Sequence, residues 1–313
     1  MKIQTFTLLA ATVVILAGCK FKTDSAATNP VFEAAIEHIR ILSADDMQGR
    51  EVGTAGSAKA EAYLRTERDK TDVFDSVGEA EFSVKTRDNT PLTGTNIFGL
   101  IEGQTPGTGP LLVITAHYDH IGVQQGKIYN GADDNASGTA AMFVIADSFK
   151  NTRPRHDILF VWLDAEERGL QGAVHHLARM KNYDGRPTLN MNMDMISQNQ
   201  KDTIFMSGSH HTPTLKPLLE RAADGTGVTV NFGNDRPEDG PNDWTLQSDH
   251  GVFHKAGFPF VYFGVEDHPH YHQHTDEFET LPLDFYRKSL ALMVNAARTL
   301  DDNLDALAKP ATQ

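Results

Sequence analysis

Residues 111–135 constrain the fold of this chain more than any other stretch of its sequence. Their first six residues, LLVITA, are apolar or β-branched and predict a buried strand of a parallel sheet. This strand delivers His117 and Asp119 to its carboxyl end, where open α/β sheets place their ligands. A glycine-containing loop then brings Asp133 and Asp134 to the start of a predicted helix. A histidine at a strand end followed by two adjacent acids indicates a metal site, although a silent strand end with an acidic helix cap would give the same local pattern.

The rest of the chain extends this pattern. Apolar runs that predict strands alternate with stretches that predict helices, which is typical of one large α/β domain at a length of 313 residues. The predicted strands are residues 79–85, 95–102, 111–116, 157–164, 188–195, 203–206 and 258–264. The predicted helices are residues 32–42, 58–68 with Ser57 as its cap, 136–150, 171–181, 214–224, one that opens at 248–250, and 283–308.

The charge balance excludes one class of partner. The chain has 42 acidic and 28 basic residues, a formal net charge of −14. Nothing basic clusters to neutralise phosphates, so we expect no nucleic-acid partner. The acidic excess would suit cationic ligands or divalent metals, although a solvated acidic surface explains most of it.

The amino terminus indicates a secreted, lipid-anchored protein. Lys2 precedes an apolar stretch, residues 6–17, that is too short to span a bilayer as a permanent helix. The sequence LAGC at 16–19 resembles the bacterial lipobox, which implies cleavage before Cys19 and lipidation of that cysteine. By the same resemblance Lys20 favours the outer membrane. An ordinary signal peptide with an incidental cysteine remains the alternative.

We therefore expect a lipoprotein signal peptide at 1–18, a flexible tether at 19–30 and a single domain at 31–309 with no inserted domain. The protein would be held in the bacterial cell envelope, at the outer membrane, facing the periplasm or the exterior. Because Cys19 is the only cysteine, no disulfide forms within the chain.

Two later strand ends also carry acids. The strand predicted at 157–164 is followed by Glu166 and Glu167, and Asp194 stands near the end of the next strand. Adjacent residues of an extended segment point opposite ways, so one glutamate can bind metal while its neighbour stays free as a base. An acidic loop that caps the following helix would look the same in isolation.

Four histidines stand at alternating positions after the last predicted strand, at His268, His270, His272 and His274. In an extended segment they would share one face and could chelate a metal. Most of them are expected at the surface or at the rim of a site, so this pattern alone does not select a ligand.

Taken together, these motifs resemble the co-catalytic di-zinc aminopeptidase family of peptidase clan MH, the bacterial leucyl aminopeptidase-like enzymes. The likeness runs from about residue 39 to 300 and includes DDMQGR at 45–50, TNIFG at 95–99 and SDH at 248–250. It implies a mixed, mostly parallel central sheet flanked by helices in three layers, the fold of zinc-dependent exopeptidases and phosphorylase/hydrolase-like proteins. The domain at 31–309 would then be a zinc peptidase domain.

Carried over residue by residue, the resemblance implies two Zn²⁺ per chain. The ligands would be His117 and Asp194 for one zinc, Glu167 and His272 for the other, and Asp134 as a bridge between them. Two dications about 3.5–4 Å apart repel and need a shared anion. Asp134 is preferred to Asp133 because the family's bridging Asp directly precedes Asn. His272 is preferred to His274 because the family's ligand stands four residues before an Asp, here Asp276.

The same resemblance implies three catalytic residues, Glu166, Tyr271 and Asp119. Glu166 would act as general base on a water shared by the metals and then return the proton to the leaving amine. Tyr271 would donate a hydrogen bond in the transition state. Asp119 would orient His117, and Asp276 would orient the second histidine in the same way.

The sequence thus predicts a zinc-dependent exopeptidase, an aminopeptidase that removes N-terminal residues from peptides as a monomer. The arginine that some members use near the substrate terminus cannot be assigned to a position between Asp194 and Ser248. Recognition of the free α-amine would therefore rest on Glu166 and on the acidic loop at 233–244. The alternatives are a glutaminyl cyclase-like zinc acyltransferase, a dipeptidase or carboxypeptidase on the same scaffold, and a non-catalytic binding lipoprotein.

Overall fold

The computed structural model describes residues 29–86, 89–180 and 185–310. Within them the strands are β1 (Ser76–Val84), β2 (Leu92–Ile101), β3 (Leu111–His117), β4 (Gly122–Gln124), β5 (Lys127–Tyr129), β6 (Asp157–Leu163), β7 (Thr188–Met193), β8 (Thr203–Ser207), β9 (Thr229–Phe232) and β10 (Phe260–Gly264). Eight of these strands form one sheet in the order β1-β2-β6-β3-β7-β10-β8-β9, and β4 pairs with β5 apart from it. The four central strands, from β6 to β10, run parallel, whereas β1, β2 and the β10–β8 pair add antiparallel contacts.

Helices cover both faces of this sheet. The α-helices are α1 (Pro30–Leu42), α2 (Ala55–Lys70), α3 (Gly138–Ser148), α4 (Gln171–Met180), α5 (Leu215–Ala223), α6 (His250–Lys255), α7 (Leu283–Asp302) and α8 (Leu304–Leu307). Leu112 and Ile114 of β3 belong to the larger core, which also contains residues of α1, α2, α3 and α7. Leu111 and Val113 face the smaller core under α4 and α6. The chain is therefore a three-layer α/β fold, as predicted, and β3 begins with an apolar run because both of its faces are buried.

All the predicted strands and helices are present, with ends that differ by a few residues. The prediction that Ser57 caps α2 is wrong, because the helix begins at Ala55 and the Thr54 side chain accepts from the Ser57 backbone N–H at 3.2 Å. The predicted C-terminal helix breaks into α7 and α8 at Asn303.

Three short strands were not predicted. β4 and β5 have three residues each and β9 has four, and their side chains are mostly exposed or half-buried. Without a buried face, a strand has no alternation of apolar and polar residues in its sequence.

The predicted signal peptide and Cys19 lie outside the described residues, as does most of the predicted tether at 19–30. None of the helices in the described part of the chain has the length and apolar character needed to cross a membrane.

Candidate metal centre and active site

Two neighbouring parallel strands place the first pair of candidate ligands. His117 is the last residue of β3, and Asp194 directly follows β7, which pairs with β3. His117 Nε2 lies 3.1 Å from Asp194 Oδ1, and the histidine side chain is only 1% exposed. We call His117 and Asp194 the strand-end pair.

A loop before α3 places the candidate bridging acid. Gly131 opens this loop with a φ of +58°, and a side chain there would lie 2.1 Å from the Asp134 carbonyl oxygen. Asn135 ties the loop to the end of β7, because its amide donates to the Met193 carbonyl at 2.9 Å. Asp134 Oδ1 lies 3.6 Å from His117 Nε2, and this carboxylate is 3% exposed.

The second group of candidate ligands comes from loops. The other carboxylate oxygen of Asp134, Oδ2, lies 3.2 Å from His272 Nε2, and Glu167 Oε2 lies 3.5 Å from the same nitrogen. His120 also lies here, with Nδ1 2.8 Å from Glu167 Oε1. We call Glu167, His272 and His120 the loop group. Asp134 faces the strand-end pair with one oxygen and the loop group with the other, so the other four predicted ligands come together around it.

The chemistry of these side chains fits a metal ion. In the described part of the chain, His120 and Glu167 have buried side-chain atoms without hydrogen-bond partners. One set of three potential ligands, His117, Glu166 and Asp194, and a second, His120, Asp134 and Glu167, each have ligand atoms within 4.8 Å of one another. Nitrogen and carboxylate oxygen without sulfur is a donor set that zinc uses.

The titration of the two predicted histidine ligands reflects the surplus of carboxylates. Although burial opposes it, Asp194 and Glu166 raise the pKa of His117 well above its usual value. Burial is likewise outweighed at His272, where Asp134 and Glu167 raise the pKa to about 10. Carboxylates that hold protons this firmly on imidazoles would also attract cations, which compete with protons for the same atoms.

Glu166 and Glu167 are neighbours with opposite environments. Burial and then the nearby Asp194 and Asp249 raise the pKa of Glu166 well above its usual range, against the opposing effect of His117. For Glu167, burial is outweighed by His120 and His272, and its pKa is lowered. The acid predicted to be a base therefore holds a proton more readily than the acid predicted to bind metal.

Asp119 holds the backbone of this acidic pair. Its carboxylate accepts the N–H of Glu166 at 3.0 Å and that of Glu167 at 3.3 Å. The atom of Asp119 nearest to His117 Nδ1 is its backbone carbonyl oxygen at 3.2 Å, and the carboxylate lies 3.6 Å away. Asp119 thus connects the strand-end pair with the loop that carries both glutamates.

Asp276 has a different contact from the one predicted. Its carboxylate accepts the backbone N–H groups of Asp133 and Asp134 at 3.0–3.1 Å, rather than a hydrogen bond from His272. Burial, together with the charge of Asp133, raises the pKa of Asp276 to about 6. Asp276 therefore fixes the bridging loop and not the histidine, because the 270–276 segment turns its carboxylate towards that loop.

Asp133 and His274 were the alternative ligands that the sequence left open. The Asp133 carboxylate accepts from Ser197 at 2.7 Å and lies 3.1 Å from His268 Nε2, so it faces away from both groups of ligands. His274 Nε2 lies 3.0 Å from Lys127 Nζ at the β4–β5 hairpin. Neither residue is a candidate ligand in this arrangement.

Arg50 is a buried cation beneath the site. Its guanidinium is fully buried and donates to the carbonyl oxygens of Leu42, Tyr118, Asn130 and Gly131 at 2.6–2.9 Å. Burial lowers the pKa of Arg50 to about 10, and the nearby carboxylates, Asp134 first among them, oppose that change. Arg50 therefore stays charged at neutral pH and joins the loop after β3 to the loop before Asp134.

A cavity of about 340 Å³ opens above the candidate ligands. Tyr271 lines it, with its ring stacked on His272 at 4.0 Å between centroids, and so does Tyr262, whose hydroxyl donates to the Asp194 carbonyl at 3.3 Å. From the acidic loop at 233–244 only Trp244 reaches the cavity. Trp244 thus places this loop at the rim of the cavity, but none of the loop's acids, which were expected to help recognise the free α-amine, lines it. Asp235, for example, turns back to accept the N–H groups of Gly208 and His210.

Sequence reasoning missed three residues of the site. His120 stands in the same H-x-D-H segment as His117, and Arg50 stands in the DDMQGR motif, so both had a local signal. Tyr262 lies inside an apolar strand and had none. Their roles depend on which loops meet in space.

Solved structures with a similar fold include two kinds of enzyme. Glutaminyl cyclase of Fimbriiglobus ruber superposes with a TM-score of 0.71 at 20% identity, covering 87% of this chain and 97% of that one. The zinc aminopeptidase BSAP of Bacillus subtilis superposes with a TM-score of 0.69 at 17% identity, covering 85% of this chain and 94% of that one. At such identities the likeness concerns the fold.

Sequence comparison gives the family. Aminopeptidase YwaD of Bacillus subtilis is 30% identical over 119 residues, which are 38% of this chain and 25% of that protein, so the aligned part spans a quarter of this relative. The sequence profile described as "Peptidase family M28" matches residues 96–297, which include all five predicted metal ligands. Because this match covers most of the described chain, the protein belongs to peptidase family M28.

Proposed function

We propose that this protein is a zinc-dependent aminopeptidase with two Zn²⁺ per chain. The observation that carries the proposal is the position of Asp134, whose two oxygens face two separate groups of ligand atoms at the floor of the cavity. Membership of a peptidase family supports hydrolysis of peptides. One similar protein is named an aminopeptidase and one similar solved structure a zinc aminopeptidase, and both names support the finer assignment.

The five predicted ligands keep their roles in this proposal, with Asp134 shared between the strand-end pair and the loop group. Bound zinc would supply Lewis acidity to the peptide carbonyl and lower the pKa of a water molecule. The remaining steps belong to side chains of this chain.

Glu166 takes a proton from the attacking water and returns it to the nitrogen of the leaving amine. Its backbone is held by Asp119, and its side chain lines the cavity beside the strand-end pair. A raised pKa suits this task, since a base that shuttles a proton works best near the operating pH. Asp119 fixes the base as well as His117.

Tyr271 donates a hydrogen bond to the oxygen that becomes negative as the carbonyl is attacked. Burial, and then the charges of Asp134 and Asp194, raise its pKa, so its hydroxyl keeps its proton in this site. A neutral donor aimed at developing charge stabilises the transition state more than the ground state.

The substrate's free amine is expected to lie near carboxylates of the cavity. Glu166 and Asp267 both line it, while Leu170, Met195, Leu246 and Val265 supply apolar contacts. A protonated N-terminus with an apolar side chain would match this mixture of charge and apolar surface.

Glutaminyl cyclase activity is the second candidate, because proteins with that name share the fold at comparable TM-scores. Two complete groups of ligands speak against it, since such enzymes normally work with one zinc. The two activities differ in product, because cyclisation releases ammonia from an N-terminal glutamine and hydrolysis releases a free amino acid.

The experiment uses the purified full-length chain in detergent. Aminoacyl-nitroanilides, their N-blocked counterparts and glutaminyl peptides are incubated with it, with and without a chelator. We expect chelator-sensitive release from the unblocked substrates only. Cleavage confined to N-blocked substrates contradicts an aminopeptidase, and ammonia release from glutaminyl peptides alone supports the cyclase.

We also propose that the domain is anchored to the outer membrane through lipidated Cys19, on the sequence at 16–19 alone. Expression in a bacterial host should place the chain in the outer-membrane fraction, and Cys19→Ser should release it into the soluble fraction. A Cys19→Ser chain that stays in the membrane fraction contradicts the anchor.

A further inference from the structure

His120 is a buried imidazole beside the second group of ligands and was not among the predicted five. Its side chain is 0% exposed, and Nδ1 lies 2.8 Å from Glu167 Oε1 and 3.7 Å from Asp134 Oδ2. It comes three residues after His117, but the loop after β3 turns it towards the loop group and away from the strand-end pair.

The close approach to Glu167 lacks the geometry of a hydrogen bond. Among the residues that the structure describes, neither ring nitrogen of His120 has a hydrogen-bond partner, and Glu167 Oε1 has none either. Burying unpartnered polar atoms is costly. A cation between the two atoms would satisfy both of them, because it accepts a lone pair from each.

The distances around His120 bracket those expected around a shared ion. Ligand atoms bound to zinc at about 2.0–2.2 Å in a tetrahedron lie about 3.3–3.5 Å apart. The nitrogen–oxygen separations in the loop group are 2.8 and 3.7 Å for His120 and 3.2 and 3.5 Å for His272. The two imidazoles therefore approach the same pair of carboxylates from two sides, with ring centroids 6.0 Å apart.

We infer that His120 Nδ1 is an additional ligand of the second zinc, beside Asp134, Glu167 and His272. This inference rests on the proposed metal function. It gives the second zinc two nitrogen and two carboxylate ligands, whereas the strand-end pair and Asp134 supply one nitrogen and two carboxylates to the first.

The two imidazoles of the loop group differ in how firmly they are placed. His272 has a side chain that is 41% exposed and a φ of +53°, while His120 is fully enclosed next to β3. A ligand that is already fixed loses little conformational entropy when it binds the ion. His120 therefore contributes more to retention of the second zinc than His272 does.

The test replaces zinc with Co²⁺ in the full-length chain and counts the exchangeable, hyperfine-shifted imidazole N–H signals in the proton NMR spectrum. Three ligating histidines, His117, His120 and His272, predict three signals. His120→Asn should remove one signal. The asparagine amide can donate a hydrogen bond to Glu167 from the place of Nδ1 but is a poor zinc ligand. Chelator competition should show the second zinc weakened by more than about 100-fold, the upper end for loss of a partner that only hydrogen-bonds to a ligand.

His274→Asn is the matched control, because His274 belongs to the same segment as His272 but contacts Lys127. It should keep three signals and both zinc affinities. Two signals in the unsubstituted chain would overturn the inference, and so would an unchanged second affinity in His120→Asn. The signal count of the unsubstituted chain decides the question even if the variant does not fold.

The outcomes also separate this inference from the proposed function. An active aminopeptidase with two imidazole signals contradicts the role of His120 alone. Three signals without release of N-terminal residues contradict the proposed activity alone. A chain that binds neither cobalt nor zinc contradicts both.

Discussion

The strand-end pair and the loop group differ in what holds them. His117 and Asp194 stand at the ends of paired, fully buried strands, so the sheet itself fixes their separation. Glu167 and His272 lie on loops that follow β6 and β10, and the His272 side chain is 41% exposed. Asp134 links the two regions through one carboxylate.

The difference shows how a candidate metal centre can begin at the edge of a sheet and extend into the neighbouring loops. Strand ends supply a rigid half, whereas the bridging loop and the other half need added restraints on their backbone from Arg50, Asp119 and Asp276. We expect substitutions in these restraints to affect zinc binding although none of the three contacts zinc in the proposal.

The largest expected effect separates the two neighbouring glutamates. Glu166→Gln should lower kcat by about 10²–10⁴-fold, since it removes the proton acceptor, and should leave two zinc ions per chain. Glu167→Gln should lose zinc from the loop group. Steady-state kinetics and zinc content measured on the same samples check both expectations. Loss of zinc from Glu166→Gln would refute its role as base.

The next largest effect is expected from Arg50, which is buried beneath the site. Arg50→Met leaves four buried carbonyls without their donor, so the free energy of unfolding should fall by about 3–5 kcal/mol. Chelator competition should also show weaker zinc binding at both positions.

Arg68→Met is the matched control for Arg50. The Arg68 side chain is 7% exposed and donates to the Gly78 carbonyl at 2.9 Å, away from the site. Denaturant unfolding should show a loss of stability in this variant too, with zinc affinity unchanged. Equal zinc affinity in the two variants would show that Arg50 acts on the fold alone.

The stability of the fold should also depend on pH through a group outside the candidate site, in helix α4. His176 of α4 is buried, and its Nε2 has no hydrogen-bond partner among the residues that the structure describes. Burial lowers its pKa to about 4. The unfolded chain binds this proton near pH 6.5, so the folded state is penalised as pH falls from 6.5 to 4. The resulting decrease in the free energy of unfolding is absent above pH 6.5 and reaches about 3 kcal/mol near pH 4.

His176→Leu should therefore flatten the loss of stability between pH 6.5 and 4. Denaturant unfolding in chelator keeps the titration of the metal ligands the same in both chains. His210→Ala, at an exposed histidine, is the control and should keep the original slope. A slope that does not change in His176→Leu would contradict this assignment.

The smallest expected effect is confined to the segment that carries His272. Removing zinc should increase amide hydrogen exchange at residues 268–276 by about tenfold, roughly 1.4 kcal/mol, while β3 and β7 change little. Hydrogen exchange with mass spectrometry, with and without chelator, measures this. Equal loosening of the strands would mean that the sheet does not hold the strand-end pair by itself.

Much of the fold was predictable because burial leaves a record in the sequence. The apolar runs of β3 and β6 identified strands covered on both faces. The hairpin of β4 and β5 left no such record, because its side chains mostly face solvent. The same reason accounts for β9.

The candidate ligands were predictable in type but not in all their contacts. The motifs and the family resemblance selected His117, Asp134, Glu167, Asp194 and His272, which the structure brings together. The choice of partner for Asp276 depended on the turn of one loop, and nothing in its spacing from His272 decided it. Asp235 of the loop at 233–244 looked available to the site until its hydrogen bonds to the backbone of residues 208 and 210 were known.

The sequence by itself determined the α/β layers and the residue types that end the central strands, because periodicity and motif spacing are local properties. Only the tertiary structure decided that His120 meets Glu167 and that Arg50 joins two loops beneath the site. Those contacts depend on the order of the strands in the sheet and on the path of each loop. Both are set by packing between residues distant in the chain, which no local pattern records.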